Sequence, residues 1–311
     1  MFVLNPWFYM HWQCVLTIWT VSVINQKHSL KQVTCFCLYI KLLLVQGKAK
    51  NKDEKKYISH ELMLFPQIKW MNLQQEELLE LHQALALHAH HNNINNGNNL
   101  IQLVEKCIKH FQDYADKRSQ LAQNDSSAFF APTRCTNWEN SLLWITGCRP
   151  SQYIRLIYAL SGLEIEAQLN EFLQGTCTGK LGDLCSKQLH QLDSSHSKTI
   201  RAEEKLTTQL ASLQEDVADQ PIAMIAKGLF HVGEMNREVD KALDQHEKAM
   251  VGVLEEADRL RSSILKELIG ILTPVQAVEF LAAGKELHLC VHEWGKRRDL
   301  SHGRGSFNKI N

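Results

Sequence analysis

Between Arg237 and Leu272 the residues Val239, Leu243, His246, Met250, Val253, Ala257, Leu260 and Ile264 recur at alternating steps of four and three without a break. That spacing is the seam of one long helix with a single apolar stripe. Such a helix is not stable alone in water and must bury its stripe on other helices. The burial could come from a second copy in a coiled coil or from the same chain. Several further amphipathic stretches in this sequence need the same cover, so packing within the chain is expected, with a homo-oligomer as the alternative.

Those further stretches begin near Glu61. Trp70, Leu73, Leu78, Leu81, Leu85 and Leu87 form an apolar stripe with Glu and Gln opposite, ending in the Asn-rich HHNNINNGNN with Gly97 as a breaker. Leu100 to Ala122 reads as a second helix, Glu139 to Tyr158 as a third split by Gly147 and Pro150, and Leu160 to Leu173 as a fourth. Leu181 to Leu192 and Lys198 to Val217 read as two more helices. No run of alternating residues argues for a sheet. The expected fold is all-α, a multi-helix bundle with long antiparallel helices over residues 62–298, followed by a disordered tail at 299–311.

The last helix marks its own start. Thr273 is a natural N-cap, Pro274 suits the first helical position, and Gln276 completes a T-x-x-Q capping box. Further along, His288 and His292 stand at i and i+4 on one face, a spacing that lets two imidazoles grip a metal or a haem iron. Apolar residues flank them, Val278, Ala282 and Leu289 on one side and Phe280, Leu287 and Val291 on the other, which places the pair near a core. Hydrogen-bonded structural histidines are the competing reading.

Residues 1–60 read as a leader outside the fold, disordered or wrongly assigned to the chain. Its first 26 residues have no charged side chain, so a membrane anchor is the alternative, but Asn5, Pro6, His11 and Gln13 spoil the span. There is no basic start or small-residue cleavage site to suggest a signal peptide. Residues 1–50 hold five lysines and no acid, so removing them from the 34 basic residues leaves 29 against 34 acids in the body. A mildly acidic body has no electrostatic reason to seek DNA, and direct DNA contact is not expected. Nine scattered cysteines without a C-x-x-C read as reduced thiols.

Catalytic signatures fail on inspection. GTCTGK at 175–180 has three residues between its glycines where a phosphate loop has four, and Leu181 follows where Ser or Thr should. No nucleophile elbow, zinc-protease helix or kinase set occurs. His88, His90 and His91 run into the Asn-rich loop and read as surface residues.

Several stretches together carry a family resemblance: WMNLQQEELLEL (70–81), AFFAPT (128–133), ENSLLWITGCRPSQYIRLIYAL (139–160), EEKLTTQLASLQEDVADQPIA (203–223), DKALDQHEKAM (240–250) and LTPVQAVEFLAAGKELHLCVHEWG (272–295). In this order they resemble the plant delay-of-germination family, whose domain also lies behind the basic zipper of TGA-type transcription factors. The W-x-x-G-C-R-P-S run from Trp144 to Ser151 is the most specific part. The resemblance implies a non-enzymatic regulator of seed dormancy and abscisic acid signalling, located in nucleus or cytoplasm. It implies contact with type 2C protein phosphatases through the segment of Trp70, Met71 and Leu73, and haem bound through His288 and His292. A transcription-associated role like that of the TGA factors is the alternative it implies. The sequence departs from the family at FPQIK (65–69), where Pro66 is expected to interrupt the first helix, and at Arg134, where the family tends to have Trp.

Overall fold

The computed structural model describes residues 52–90, 94–130, 132, 135–167, 180–227 and 237–303. The leader ahead of Lys52 and residues 304–311 lie outside the described residues, as do His91 and the core of the GTCTGK run. Two compact units divide between Phe65 and Pro66, and the core and the candidate site belong to the second. Eight α-helices are described: α1 (Lys52–His90), α2 (Ile94–Ala122), α3 (Ser127–Phe130), α4 (Asn137–Leu142), α5 (Ser151–Ala167), α6 (Ser186–Glu215), α7 (Arg237–Ile271) and α8 (Pro274–Ser301). The expected all-α bundle is what forms, and among the described residues no strand appears beyond an isolated bridge between Trp144 and Gly147.

Several boundaries differ from expectation. The hydrogen-bonded helix α1 is continuous through Pro66, because one missing N–H removes a single link from a long ladder. Gly97 falls inside α2 rather than ending a loop before it. Leu160 continues α5 instead of starting a new helix. Residues 181–217 hold a 3-10 turn at Leu181–Asp183 and then one helix, α6, where two were expected. The DSSHS run between those two expected helices stays helical because Leu192, Ser195 and Thr199 all face inward, and small side chains let neighbouring helices approach.

One core joins six helices. Leu81 from α1, Leu100 and Val104 from α2, Ile154 and Ile157 from α5, Leu192 from α6, Ile264 and Leu268 from α7, and Val278 and Phe280 from α8 pack together. Each such side chain contributes about 1.5–3 kcal/mol on burial. The C-terminal part of the α7 seam packs within the chain, Val253 and Ala257 lying with Trp144, Ile145 and Leu206 and with Leu210 and Leu213 of α6 alongside, whereas Leu243 is 43% exposed. The connection between α7 and α8 is only Leu272 and Thr273.

The capping box read from the sequence is present. Thr273 Oγ1 accepts from Gln276 N at 3.4 Å, and Gln276 Oε1 accepts from Thr273 N at 2.9 Å. Gln276 does more than cap. Its Nε2 donates to the Lys180 carbonyl at 3.1 Å, and Gln188 Nε2 donates to its Oε1 at 2.8 Å, tying α8 to the start of α6.

The Trp144–Ser151 motif forms a turn organised by a buried arginine. Ile145 and Thr146 have positive φ of 41° and 62°, uncommon for side-chain-bearing residues and costly for a β-branched one. Arg261 of α7 holds them there, donating to the carbonyls of Trp144, Ile145 and Cys148 at 2.6, 2.8 and 2.8 Å. Gly147 is required because a Cβ there would lie 2.9 Å from the Arg261 guanidinium carbon. Below the turn, the buried carboxylate of Glu203 accepts from Ser151 N at 2.7 Å and from its hydroxyl at 3.1 Å, placing an anion at the N-terminus of α5.

Candidate functional site

The two histidines of α8 face one side of the bundle but have different partners. His292 Nδ1 lies 3.0 Å from both carboxylate oxygens of Glu139. A carboxylate only accepts, so Nδ1 carries the proton and Nε2 is left as the coordinating nitrogen. Burial pushes the Glu139 carboxyl up, yet hydrogen bonds from His292 and Thr136 outweigh it and hold it below its ordinary 4.5. His288 Nε2 lies 3.2 Å from Met71 Sδ of α1. The surrounding helices desolvate the ring and push its pKa below the ordinary 6.5, with Glu139 pulling the other way. By surface area His288 is exposed and Leu287 beside it is 46% exposed, so the pair sits at the rim of the core rather than between buried apolar stripes.

Glu139 is fixed by its own local structure. It is the third residue of the short helix α4, in a capping box with Thr136: Thr136 N donates to Glu139 Oε2 at 2.7 Å, and Glu139 N donates to Thr136 Oγ1 at 3.2 Å. Helix α8 comes so close to this cap that a Cβ on Gly295 would collide with the Thr136 side chain. Asn137 adds two hydrogen bonds to Asp299, at 3.0 and 3.1 Å, and the Arg298 guanidinium lies 4.6 Å over the Trp138 ring.

The structure also places a buried charged cluster behind His288 that the sequence reading missed. Lys285 Nζ donates to Glu77 Oε2 at 2.5 Å and to Gln74 Oε1 at 3.0 Å, and His110 Nδ1 lies 2.6 Å from Glu77 Oε1. Glu77 is 1% exposed, Gln74 5% and Lys285 8%, so Glu and Gln are on the inner stripe of α1, while Leu87, placed there from the sequence, is 63% exposed. A signal was available: Trp70, Gln74, Glu77 and Leu81 are spaced four, three and four apart. Lys285 likewise falls on the face of Leu281 and His288.

Of the segment read as partner-binding, Trp70 is stacked on Tyr114 of α2, with ring centroids 4.1 Å apart and planes at 14°. Phe111 packs obliquely on the same indole at 6.2 Å. Met71 and Leu73 are half-buried, and Met71 reaches His288. Of the three, Met71 meets His288, a proximity that a separation of 217 positions hides in the sequence. Cys107, Cys148, Cys185 and Cys290 are unbridged thiols. Among the described residues no three His, Cys, Asp or Glu side chains are placed to hold a metal, and no helix is long and apolar enough to cross a membrane.

Haem, which the resemblance implies, is compatible with the donors present. His292 has its ring oriented by a carboxylate with Nε2 to spare, and His288 is accessible from outside.

Fold and site together define an all-helical protein organised by buried ion pairs and by a histidine face on its last helix. A family model described as seed dormancy control matches residues 77–159. Protein DOG1-like 1 of Arabidopsis thaliana is 43% identical over 250 residues, covering 74% of this chain and 87% of the relative. Protein RESPONSE TO ABA AND SALT 1 of the same plant is 26% identical over 200 residues, 63% of this chain and 78% of that one. Transcription factor TGA1, also from Arabidopsis, is 29% identical over 215 residues, 69% of this chain but 50% of the factor. The chain belongs to the DOG1-like family of seed dormancy control proteins.

Proposed function

We propose that this chain is a non-enzymatic regulator of seed dormancy and abscisic acid signalling that works by binding type 2C protein phosphatases. The observation that carries the reading is the 43% identity to DOG1-like 1 over most of both chains. A more distant relative named for its response to abscisic acid supports the hormone link. The phosphatase contact is assigned to the α1 segment of Trp70, Met71 and Leu73, and haem to His288 and His292. Haem, when bound, would supply a redox-active iron; the chain's own contribution is to orient His292 through Glu139 and to leave His288 open to solvent. Nucleus or cytoplasm is the proposed location.

The test is co-precipitation of the full chain with purified type 2C phosphatases, followed by assay of their activity. Specific capture with reduced activity is expected, and capture should weaken in a Leu73→Asp variant. Absence of capture across the phosphatase set overturns the reading. Haem is tested separately by titrating haemin and following the Soret band, which should be lost in the double variant His288→Ala, His292→Ala.

The similarity to TGA1, confined to half of that factor, favours a second reading, a transcription-associated role exercised through DNA-binding partners. Recruitment of the chain to DNA only when such a partner is present would support it; a gel shift by the chain alone at physiological salt would instead show direct binding.

A further inference from the structure

The contact between Met71 and His288 has the geometry of two ligands on one metal ion. Donor atoms that share a tetrahedral metal, at the ~2.0–2.3 Å bond lengths of nitrogen and sulfur ligands, stand roughly 3.5 Å apart. His288 Nε2 and Met71 Sδ are 3.2 Å apart, so a shift of a few tenths of an ångström would admit an ion bound to both. One helical turn further along the same face, His292 offers Nε2, its ring held by Glu139 through Nδ1 at 3.0 Å. A carboxylate behind an imidazole is the usual way a metal-binding histidine is oriented. The exposed ring of His288 gives an ion a route in from solvent.

The donors also select the ion. A thioether with two imidazoles is a soft set that favours cuprous copper over magnesium, calcium or manganese, which prefer oxygen. Its charge balance agrees: all three donors are neutral, and the nearby Lys285 ammonium is already paired with Glu77. The Glu139 carboxylate beside His292 adds a negative charge that favours a cation at the site. We propose that Met71, His288 and His292 form a binding site for a cuprous ion, with Glu139 as the positioning residue. The site would pin α1 to α8 at the edge of the core. It shares His288 and His292 with the haem reading, and Met71, which haem does not use, tells the two apart.

The test is competition for Cu(I) between the full chain and bicinchoninate under anaerobic, reducing conditions, with accessible thiols alkylated beforehand so that cysteines do not contribute. The chain is expected to withdraw one copper ion, and X-ray absorption to show one sulfur and two nitrogen scatterers. Met71→Leu, which keeps the volume and apolar character of the side chain, should weaken copper binding by at least ~10-fold, the lower bound for loss of even a supporting residue. His288→Ala should do the same, with circular dichroism confirming that both variants stay helical. Met71→Leu should leave the haemin Soret band in place, which separates failure of this site from failure of the haem reading. If the alkylated chain withdraws no copper, or if Met71→Leu and His288→Ala bind it as tightly as the unaltered chain, the Met71–His288 contact is only an N–H···S hydrogen bond and the proposal falls.

Discussion

His292 and Glu139, 153 positions apart, are joined by an imidazole nitrogen 3.0 Å from both oxygens of one carboxylate. The same carboxylate caps α4 through Thr136, so one side chain closes a short helix and docks it on the last one. Its folded-state pKa lies below 4.5, so the unfolded chain binds more protons between the two values. Stability from this pair is therefore fully present above about pH 4.5 and is lost as pH falls through the lower folded value. Comparing urea midpoints of the unaltered chain and Glu139→Gln, the gap should be wide at neutral pH and narrow well below 4.5.

His288 should titrate below 6.5, because desolvation disfavours its cation. The Glu139 charge partly offsets that, so Glu139→Gln should move the midpoint lower still. Imidazole NMR resonances followed across pH check both directions. A midpoint that rises in the variant would contradict the placement of Glu139 beside His288.

Lys285 and Glu77 form a buried ion pair. Removing one partner leaves an uncompensated charge in the core, which costs about 3–5 kcal/mol. Glu77→Leu and Lys285→Met are each expected to destabilise the fold by that order in chemical denaturation. The double variant should lose less than either single change, since no lone charge remains buried.

Gly295→Ala separates local propensity from packing. In an open helix the change gains roughly 0.8–1 kcal/mol. Here the new methyl group would overlap Thr136 and force α4 away from α8, and overpacking of this kind costs about 1–3 kcal/mol. A net loss of stability is expected, because the methyl would meet the Thr136 hydroxyl itself, the group that caps α4.

Arg261→Met removes the donor to three carbonyls of the Trp144–Cys148 turn. It also leaves Asp258, which Arg261 contacts at 2.7 Å, with only the more distant Arg118 at 3.4 Å. Buried unsatisfied carbonyls cost about 1–3 kcal/mol each. The variant should unfold at markedly lower denaturant, and tryptophan fluorescence should report early loosening around Trp144.

Much of the scaffold is decided by neighbours in the sequence. The start of α8 at Thr273-Pro274, the i,i+4 placement of His288 and His292, the break at Gly147-Pro150 and the seam of α7 all follow from backbone sterics and helical period. These rules act over a few residues, so they can be read from the order of side chains. The resemblance to a seed dormancy family was legible for the same reason, in short runs of specific residues.

What the sequence could not decide were the partners. Gln74 and Glu77 sit on the inner face of α1 because Lys285 and His110 arrive from helices far along the chain to neutralise and hydrogen-bond them. The DSSHS run of α6 is helical because the core needs small residues at Ser195 and Thr199. His288 meets Met71, and His292 meets Glu139, only after α1 and α4 pack on α8. Helical period tells which side chains share a face, but only the tertiary structure decides what that face meets, because burying a charge or an imidazole is favourable only when its distant partner is in place.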